Sequence, residues 1–388
     1  MIKKMQPTRI FLVAGARPNF IKIAPIWEMM KKGPDEFDPV IVHTGQHFDY
    51  DMSEVFFRDL GLKKPDIYLG IGSGSHAEQT ARILVEFEKL LEKDTPDMVL
   101  VVGDVNSTLA CALATAKFRC TRQSANRPRI LHVEAGLRSR DALMPEEINR
   151  RLTDQLSDIL FTTSEDANLN LINEGIDPTR IFFVGNVMID VLLKFREEAR
   201  KSTVLETLGL HRGSSKTEYA VLTLHRPENV DSLDRLATIM RSIQHITQYL
   251  PVVFPVHPRT RIQLERLGLD KQEGQDRRLV LTAPLGYLEF LKLLMDSRFV
   301  LTDSGGVQEE TTVLGIPCLT LRKNTERPVT VTEGTNVLCE IDPERIGAEV
   351  NKILARDFKT GGIPRLWDGD AASRIVNVIN NNKILLLN

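Results

Sequence analysis

Three acidic positions in the first half of the chain directly follow apolar runs or open a helix. Asp104 follows Met98–Val102 through Gly103, Glu134 follows Ile130–Val133, and Glu146 comes with Glu147 after Pro145, where a helix should begin. Acidic side chains at strand ends lie on the ligand-binding edge of an α/β sheet. Crowded there, carboxylates raise one another's pKa, which makes a general acid and base usable near neutral pH. Glu147 alone is also explained as compensation of the helix dipole. In the second half, the strand Phe299–Thr302 leads into Ser304-Gly305-Gly306 and a helix starting at Ser304. The glycines let backbone approach a ligand, and the free N–H groups of a first helical turn favour a phosphate or diphosphate. Glu309 and Glu310 follow one turn on, where carboxylates could accept hydrogen bonds from the hydroxyls of a nucleotide's ribose. The same residues also read as an ordinary helix start with Ser304 as its N-cap.

Cations suited to a diphosphate stand at other strand ends. Arg17 sits where the first strand gives way to a helix, with Lys22 one turn further in. His225-Arg226 follows Tyr219–Leu224 and His257-Pro-Arg259 follows Val252–Val256, equivalent edges of one sheet that suggest phosphate contacts. A nicotinamide-type dinucleotide site is weakly supported: the nearest match, Gly70-Ile-Gly72-Ser-Gly74-Ser, has no acidic residue closing a second strand. His43 and His47 are four apart, but the Thr-Gly between them implies a loop; with no HExxH and no Cys/His pairing, no metal is assigned. No cofactor is expected.

Those residues need a scaffold that brings strand ends to one edge, and the hydrophobic pattern provides it. Apolar strands at Ile10–Val13, Pro39–His43, Met98–Val102, Ile130–Val133, Ile159–Thr162 and Ile181–Val184 alternate with amphipathic helices at 20–32, 77–92, 108–118, 146–156, 166–174 and 189–201. Residues 202–218 are polar and weakly patterned, as a connection between domains would be. Alternation resumes from Tyr219 through Val252–Val256, Leu279–Thr282, Phe299–Thr302 and Cys318–Leu321, with helices over 232–249, 261–267 and 287–295. The pattern predicts an α/β protein of two doubly wound, Rossmann-like domains facing a cleft. The expected bounds are 1–185 for the domain with the carboxylates, 186–370 for the anion-binding domain, and 371–388 for a last helix packing back on the first.

The bulk numbers agree with two domains and a small-molecule partner. The 388 residues are 42% hydrophobic and 26% charged, and 50 Lys plus Arg against 52 Asp plus Glu leave a net charge of −2. Such balance gives no field for nucleic acid or a membrane surface. Cys111, Cys120, Cys318 and Cys339 lie far apart with no CxxC, which suits reduced, buried thiols in a cytoplasmic protein. Lys3, Lys4 and Arg9 ahead of Ile10–Ala16 resemble a secretory leader only faintly; the run has the size of a first parallel strand.

In order along nearly the whole chain, GARPNFIKIAP, TGQHFD, GDVNSTLA, HVEAGLRS with MPEEINR, GNVMID, LHRPENV, PVHPR, LTDSGGVQEE and TERPVTVTEGTN resemble the non-hydrolysing UDP-N-acetylglucosamine 2-epimerases. The resemblance implies a glycosyltransferase-B-like fold, a homodimer, and interconversion of UDP-N-acetylglucosamine and UDP-N-acetylmannosamine without a redox cofactor. It implies Asp104, Glu134 and Glu146 as catalytic acids and bases and His225 as the leaving-group residue. Arg17, Ser304, Gly305, Gly306 and Glu310 would then contact the nucleotide, with Phe290 beside the uracil. The sequence departs from the family pattern at Asn19 and Val329, where many members carry Glu, and at Gln46-His47-Phe48-Asp49, where members activated by substrate carry QHxxQ. The TGQHFD segment is also similar to relatives acting on UDP-2,3-diacetamido sugar acids. A hydrolysing epimerase, a glycosyltransferase of the same fold and a sugar-nucleotide sensor without turnover are the alternatives; the three clustered carboxylates argue against the last two.

Overall fold

A computed structural model of the chain describes residues 6–46, 61, 63–119, 127–212, 215–269 and 278–387. Two compact units emerge, one of residues 1–191 together with 365–388, the other of residues 192–364.

The first unit holds a parallel sheet of seven strands: β1 (Thr8–Ala14), β2 (Phe37–His43), β3 (Ile67–Tyr68), β4 (Met98–Val102), β5 (Arg129–Ala135), β6 (Ile159–Thr162) and β7 (Ile181–Phe183), in the order β3-β2-β1-β4-β5-β6-β7. All of β4 is buried, as expected of a strand covered by helices on both faces. The helices are α1 (Arg17–Lys31), α2 (His76–Lys93), α3 (Asn106–Lys117), α4 (Pro145–Leu156), α5 (Glu165–Asn173) and α6 (Val187–Ala199), within which the chain passes to the second unit. In α2, Ile83, Phe87 and Leu91 recur every fourth residue and are buried, while Ser75 and Glu78 cap the helix reciprocally. Pro145 stands at the first position of α4, where its missing N–H costs nothing.

In the second unit, α7 (Val204–Thr207) and the hairpin β8 (His211–Arg212) and β9 (Ser215–Lys216) precede a parallel sheet of six strands. These are β10 (Ala220–Thr223), β11 (Val252–Pro255), β12 (Leu279–Thr282), β13 (Phe299–Thr302), β14 (Cys318–Thr320) and β15 (Asn336–Leu338), in the order β12-β11-β10-β13-β14-β15. Its helices are α8 (Pro227–Val230), α9 (Leu233–Ile246), α10 (Pro258–Arg266), α11 (Tyr287–Met295), α12 (Gly305–Leu314), α13 (Pro328–Thr332) and α14 (Pro343–Leu354). Leu222, Phe254, Leu301 and Leu319 face Leu236, Ile239 and Ile243 of α9 and Ile346 and Val350 of α14 on one side of the sheet. Val221, Val253 and Val300 meet Leu293, Leu294 and Val307 on the other. The segment after residue 202 differs from the expected connection: Val204, Leu205 and Leu210 are buried in this second core. These three, with the partly buried Leu208 packed beside them, dock the segment.

The chain then returns to the first unit. In α15 (Ala371–Leu387) the N–H groups of Ala371 and Ala372 donate to Asp190 at 3.1 and 2.7 Å, and α15 packs against α1. Burial raises the Asp190 carboxyl to about 6. Just before α15, Trp367, only 2% exposed, donates from Nε1 to the Thr163 carbonyl at 2.8 Å.

Candidate active site

In each unit the strand order reverses once, between β1 and β4 and between β10 and β13. Open parallel sheets bind ligands at the carboxyl edge of such a switch point. In the first unit β1 delivers Gly15, Ala16 and Arg17, and β4 delivers Gly103 and Asp104. Asn19 braces this edge: its Oδ1 accepts from the N–H groups of Gly15 and Ala16 at 3.1 and 3.0 Å, and its Nδ2 donates to the Val102 carbonyl at 3.2 Å. A carboxylate could accept the first two bonds but not donate the third.

Glu134 lies at an irregularity where the register between β5 and β6 shifts, with φ of +71°, a conformation that ordinary side chains avoid. A bulge re-aims its side chain, and strain of this kind concentrates at functional positions. The redirected carboxylate is buried and ion-paired with the equally buried Lys22 ammonium. A Cβ on Gly103, whose φ is +66°, would lie 3.1 Å from Lys22 Nζ and 3.8 Å from Glu134 Oε2. Lys22, Glu134 and the Gly103-Asp104 turn therefore converge. Sequence had aimed Lys22 at phosphate; its partner here is Glu134.

Asp104 is held from below. Arg150 of α4, 2% exposed, donates from Nε and Nη2 to Asp104 Oδ2 at 3.1 and 2.7 Å, and from Nη1 to Glu147 Oε2 at 2.7 Å. Glu147 also accepts from the N–H and hydroxyl of Ser139 at 2.8 and 3.0 Å. It is thus a buried buttress and more than a dipole counter-charge. Glu146, half-buried, precedes Arg150 by four residues and shares its helical face. Further back, the wholly buried His132 meets the Gly103 carbonyl with Nε2 at 2.8 Å and Asp154 with Nδ1 at 2.6 Å. Burial would raise the Asp154 carboxyl, but His132 and Arg138 outweigh it and hold it below its ordinary value.

In the second unit, β13 ends in Asp303, which is wholly buried. Its carboxylate accepts from the backbone N–H of His225 at 3.2 Å, that of Arg226 at 3.0 Å and Asn229 Nδ2 at 3.2 Å, and it pairs with His225 Nδ1 at 3.0 Å. Burial alone would raise this carboxyl; those partners hold it below its ordinary value. Ser304 then occupies the N-cap of α12, but its side chain makes no capping hydrogen bond. Gly305 has no room for a side chain, because a Cβ would press into the Arg327 guanidinium and Glu326. Arg327 donates to Glu309 Oε1 at 2.7 Å and to Glu326 Oε1 at 2.5 Å, and Arg322 pairs with Glu326 at 2.9 Å, all deeply buried. A buried, mutually paired set of two arginines and two glutamates thus stands behind the first turn of α12.

The two glutamates read together from sequence separate here. Glu309 is committed to Arg327. Glu310 accepts from the Tyr287 hydroxyl at 3.3 Å, and burial raises its carboxyl to about 7. Phe290, half-buried, packs against the core that includes Leu294 and Val307. His257 is exposed at the N-cap of α10, where its Nδ1 accepts from the Arg259 N–H at 3.3 Å, and Arg259 itself pairs with Asp231. That arrangement accounts for the pair as a helix start.

Gln46 Oε1 accepts from the Ser107 N–H and hydroxyl at 3.0 and 2.7 Å, and its carbonyl accepts from Gln79 Nε2 at 3.0 Å. His47, Phe48, Asp49 and Cys120 fall outside the described residues. Cys111, Cys318 and Cys339 are buried and unpaired as disulfides. Among the described residues no group of His, Cys, Asp and Glu is arranged to hold a metal, and no helix is long and apolar enough to cross a membrane. Arg150, His132, Asp303 and Arg327 escaped the sequence reading, although all four lie within the motifs that flank the carboxylates and the glycine turn.

The sequence family described as UDP-N-acetylglucosamine 2-epimerase matches residues 29–380. A UDP-2,3-diacetamido-2,3-dideoxy-D-glucuronate 2-epimerase of Pseudomonas aeruginosa is 43% identical over 375 residues, 96% of this chain and 99% of that protein. A UDP-N-acetylglucosamine 2-epimerase of Methanococcus maripaludis is 40% identical over 383 residues, 97% of this chain and 99% of that protein. The crystal structure of the Methanocaldococcus jannaschii UDP-GlcNAc 2-epimerase in complex with UDP-GlcNAc and UDP superposes with a TM-score of 0.85 at 40% identity, covering 96% of this chain and 100% of that one. With a glycosyltransferase-B-like pair of parallel α/β units and a match along nearly all its length, this chain belongs to the UDP-N-acetylglucosamine 2-epimerase family.

Proposed function

We propose that the protein is a non-hydrolysing epimerase that interconverts UDP-N-acetylglucosamine and UDP-N-acetylmannosamine. The observation that carries this reading is the strained, bulged Glu134, turned onto Lys22 beside the Gly103-Asp104 turn. The C2–H of the sugar has no carbonyl beside it, so a carboxylate cannot remove that proton unaided. Early breaking of the C1–O bond, with its electron pair leaving on the UDP oxygen, gives the ring oxocarbenium character and makes C2–H acidic. Loss of that proton to a carboxylate leaves UDP and a 2-acetamidoglucal. Re-addition of UDP at C1, with a proton delivered to the opposite face of C2, completes inversion. Two faces need two acid/base groups, a role for Asp104, Glu134 and Glu146. His225 and the first turn of the Ser304 helix stabilise the departing diphosphate, at about 3 kcal/mol for each well-placed donor. We propose a cytoplasmic location on the strength of the three buried thiols.

UDP-N-acetylglucosamine incubated with the enzyme in D₂O is expected to return as an epimer mixture deuterated at C2. Epimerised sugar that keeps its original hydrogen would overturn exchange through carboxylates, free N-acetylmannosamine would mark a hydrolase, and no conversion would leave a sensor. A second reading rests on the 43% identity to the diacetamido-glucuronate epimerase. Offered side by side with UDP-N-acetylglucosamine, a UDP-2,3-diacetamido sugar acid with the higher kcat/KM would shift the substrate while keeping the reaction.

Glu310 gives this reading a pH signature. Its carboxyl, raised to about 7, keeps its proton in the free protein between the ordinary value of 4.5 and neutrality. Ribose hydroxyls donate best to the ionised form, so UDP affinity should rise with pH up to about 7 and flatten above it. UDP's own phosphate titration is common to wild type and Glu310→Gln, so calorimetric titration of both isolates the Glu310 component. Parallel pH profiles would remove Glu310 from the ribose site.

A further inference from the structure

We propose that Asp303 is the positioning residue of a His-Asp pair that fixes which nitrogen of His225 meets the departing diphosphate. The inference rests on His225 acting at the leaving group, as in the reaction proposed above. Asp303 closes β13 beside the sheet's switch point, and its carboxylate is anchored by two backbone N–H groups and Asn229 Nδ2 before His225 is counted. It therefore cannot swing away. His225 Nδ1 lies 3.0 Å from Asp303 Oδ1, and an anchored carboxylate only accepts, so Nδ1 carries a hydrogen. The His225 side chain is 48% exposed, which leaves Nε2 as the nitrogen that can reach a ligand.

The chemistry follows from that assignment. When the C1–O bond breaks, its electron pair goes to a diphosphate oxygen, and a proton on His225 Nε2 can pass to that oxygen. On re-addition the oxygen forms its bond to C1 and the proton returns to Nε2. His225 can donate in this way only with hydrogens on both nitrogens, and the Asp303 carboxylate opposite Nδ1 accepts the one that Nδ1 carries, as in other His-Asp pairs. An asparagine at 303 could keep the backbone N–H groups through Oδ1. Its amide N–H₂, however, would face Nδ1 and favour a neutral ring with hydrogen on Nε2, a much weaker acid.

The test compares wild type, Asp303→Asn, Asp303→Glu, His225→Gln and the double variant Asp303→Asn/His225→Gln, using kcat, KM for UDP-N-acetylglucosamine, UDP binding, and ¹⁵N spectra of histidine-labelled protein. We expect Nδ1 protonated in wild type and Nε2 as the protonated nitrogen in Asp303→Asn. The kcat of Asp303→Asn and of His225→Gln should each fall about 10²- to 10³-fold with KM changed less than about threefold, and the double variant should be no worse than either. Asp303→Glu should recover part of the lost kcat. If His225→Gln itself keeps nearly full turnover, the leaving-group reading of His225 fails. If His225→Gln is slow but Asp303→Asn is not, or the tautomer is unchanged, the positioning role of Asp303 is overturned. Should Asp303→Asn lose UDP binding through misfolding, the wild-type spectrum decides alone: an unprotonated Nδ1 ends the proposal.

Discussion

The Glu134→Gln enzyme is expected to turn over UDP-N-acetylglucosamine about 10³-fold more slowly than wild type while binding UDP almost unchanged. The substitution keeps the shape of a side chain whose backbone is already strained at φ +71°, and the glutamine carbonyl can still accept from Lys22, so the fold should survive. What disappears is a group able to take or return the C2 proton. If UDP departure is less impaired than proton return, the stalled enzyme should release UDP and 2-acetamidoglucal, both measurable by chromatography. Turnover within threefold of wild type, with no glucal, would require another carboxylate to serve Glu134's face of C2 and would leave the bulge without a chemical role.

Arg150→Met should destabilise the first unit by about 3 to 5 kcal/mol, because it leaves the buried Glu147 and the partly buried Asp104 without their shared cation. In a unit of this size that corresponds to a melting shift of roughly 10 °C in calorimetry. Arg150→Lys cannot reproduce the fork, since one ammonium replaces three N–H groups aimed at two carboxylates, and should recover only part of the loss. Activity should fall more than stability, because Asp104 would no longer be held in one orientation. A melting temperature unchanged in both variants would show that the buried network contributes little.

The parts of the fold that were legible in sequence are those encoded locally. Met98–Val102, Ile159–Thr162, Leu279–Thr282, Phe299–Thr302 and the helix Tyr287–Met295 have the bounds their hydrophobic patterns announce. The Ser304-Gly-Gly turn was readable for the same reason, since strand, turn residues and helix start lie within a few positions. Arg150 was not readable, because a cation on an acidic, Pro-initiated helix looks like an exposed surface charge. Its partner Asp104 stands 46 residues away. His132 sits inside an apolar strand and Asp303 beside a conspicuous glycine pair, and each acquires meaning only through a partner far along the chain. Lys22 and Glu309 show the converse: their types were noticed, but burial assigns them to Glu134 and Arg327. Residues 202–218 looked like a tether because composition averages over the three apolar side chains that dock part of the segment.

The return of the chain at Arg365 sets an order of events during synthesis. The second unit is one unbroken stretch, residues 192–364, and every strand of its sheet has been synthesised before the returning segment is made. The first unit begins earlier yet closes later, since Trp367 and the helix anchored by Asp190 are its last pieces. Until they arrive, the face of α1 that α15 covers stays open to water or to a chaperone. The first sheet, with Asp104 and Glu134 at its edge, thus waits for the helix that begins at Ala371, so a ribosome that stalls between the two leaves a nascent chain whose second unit is made and whose first is still open.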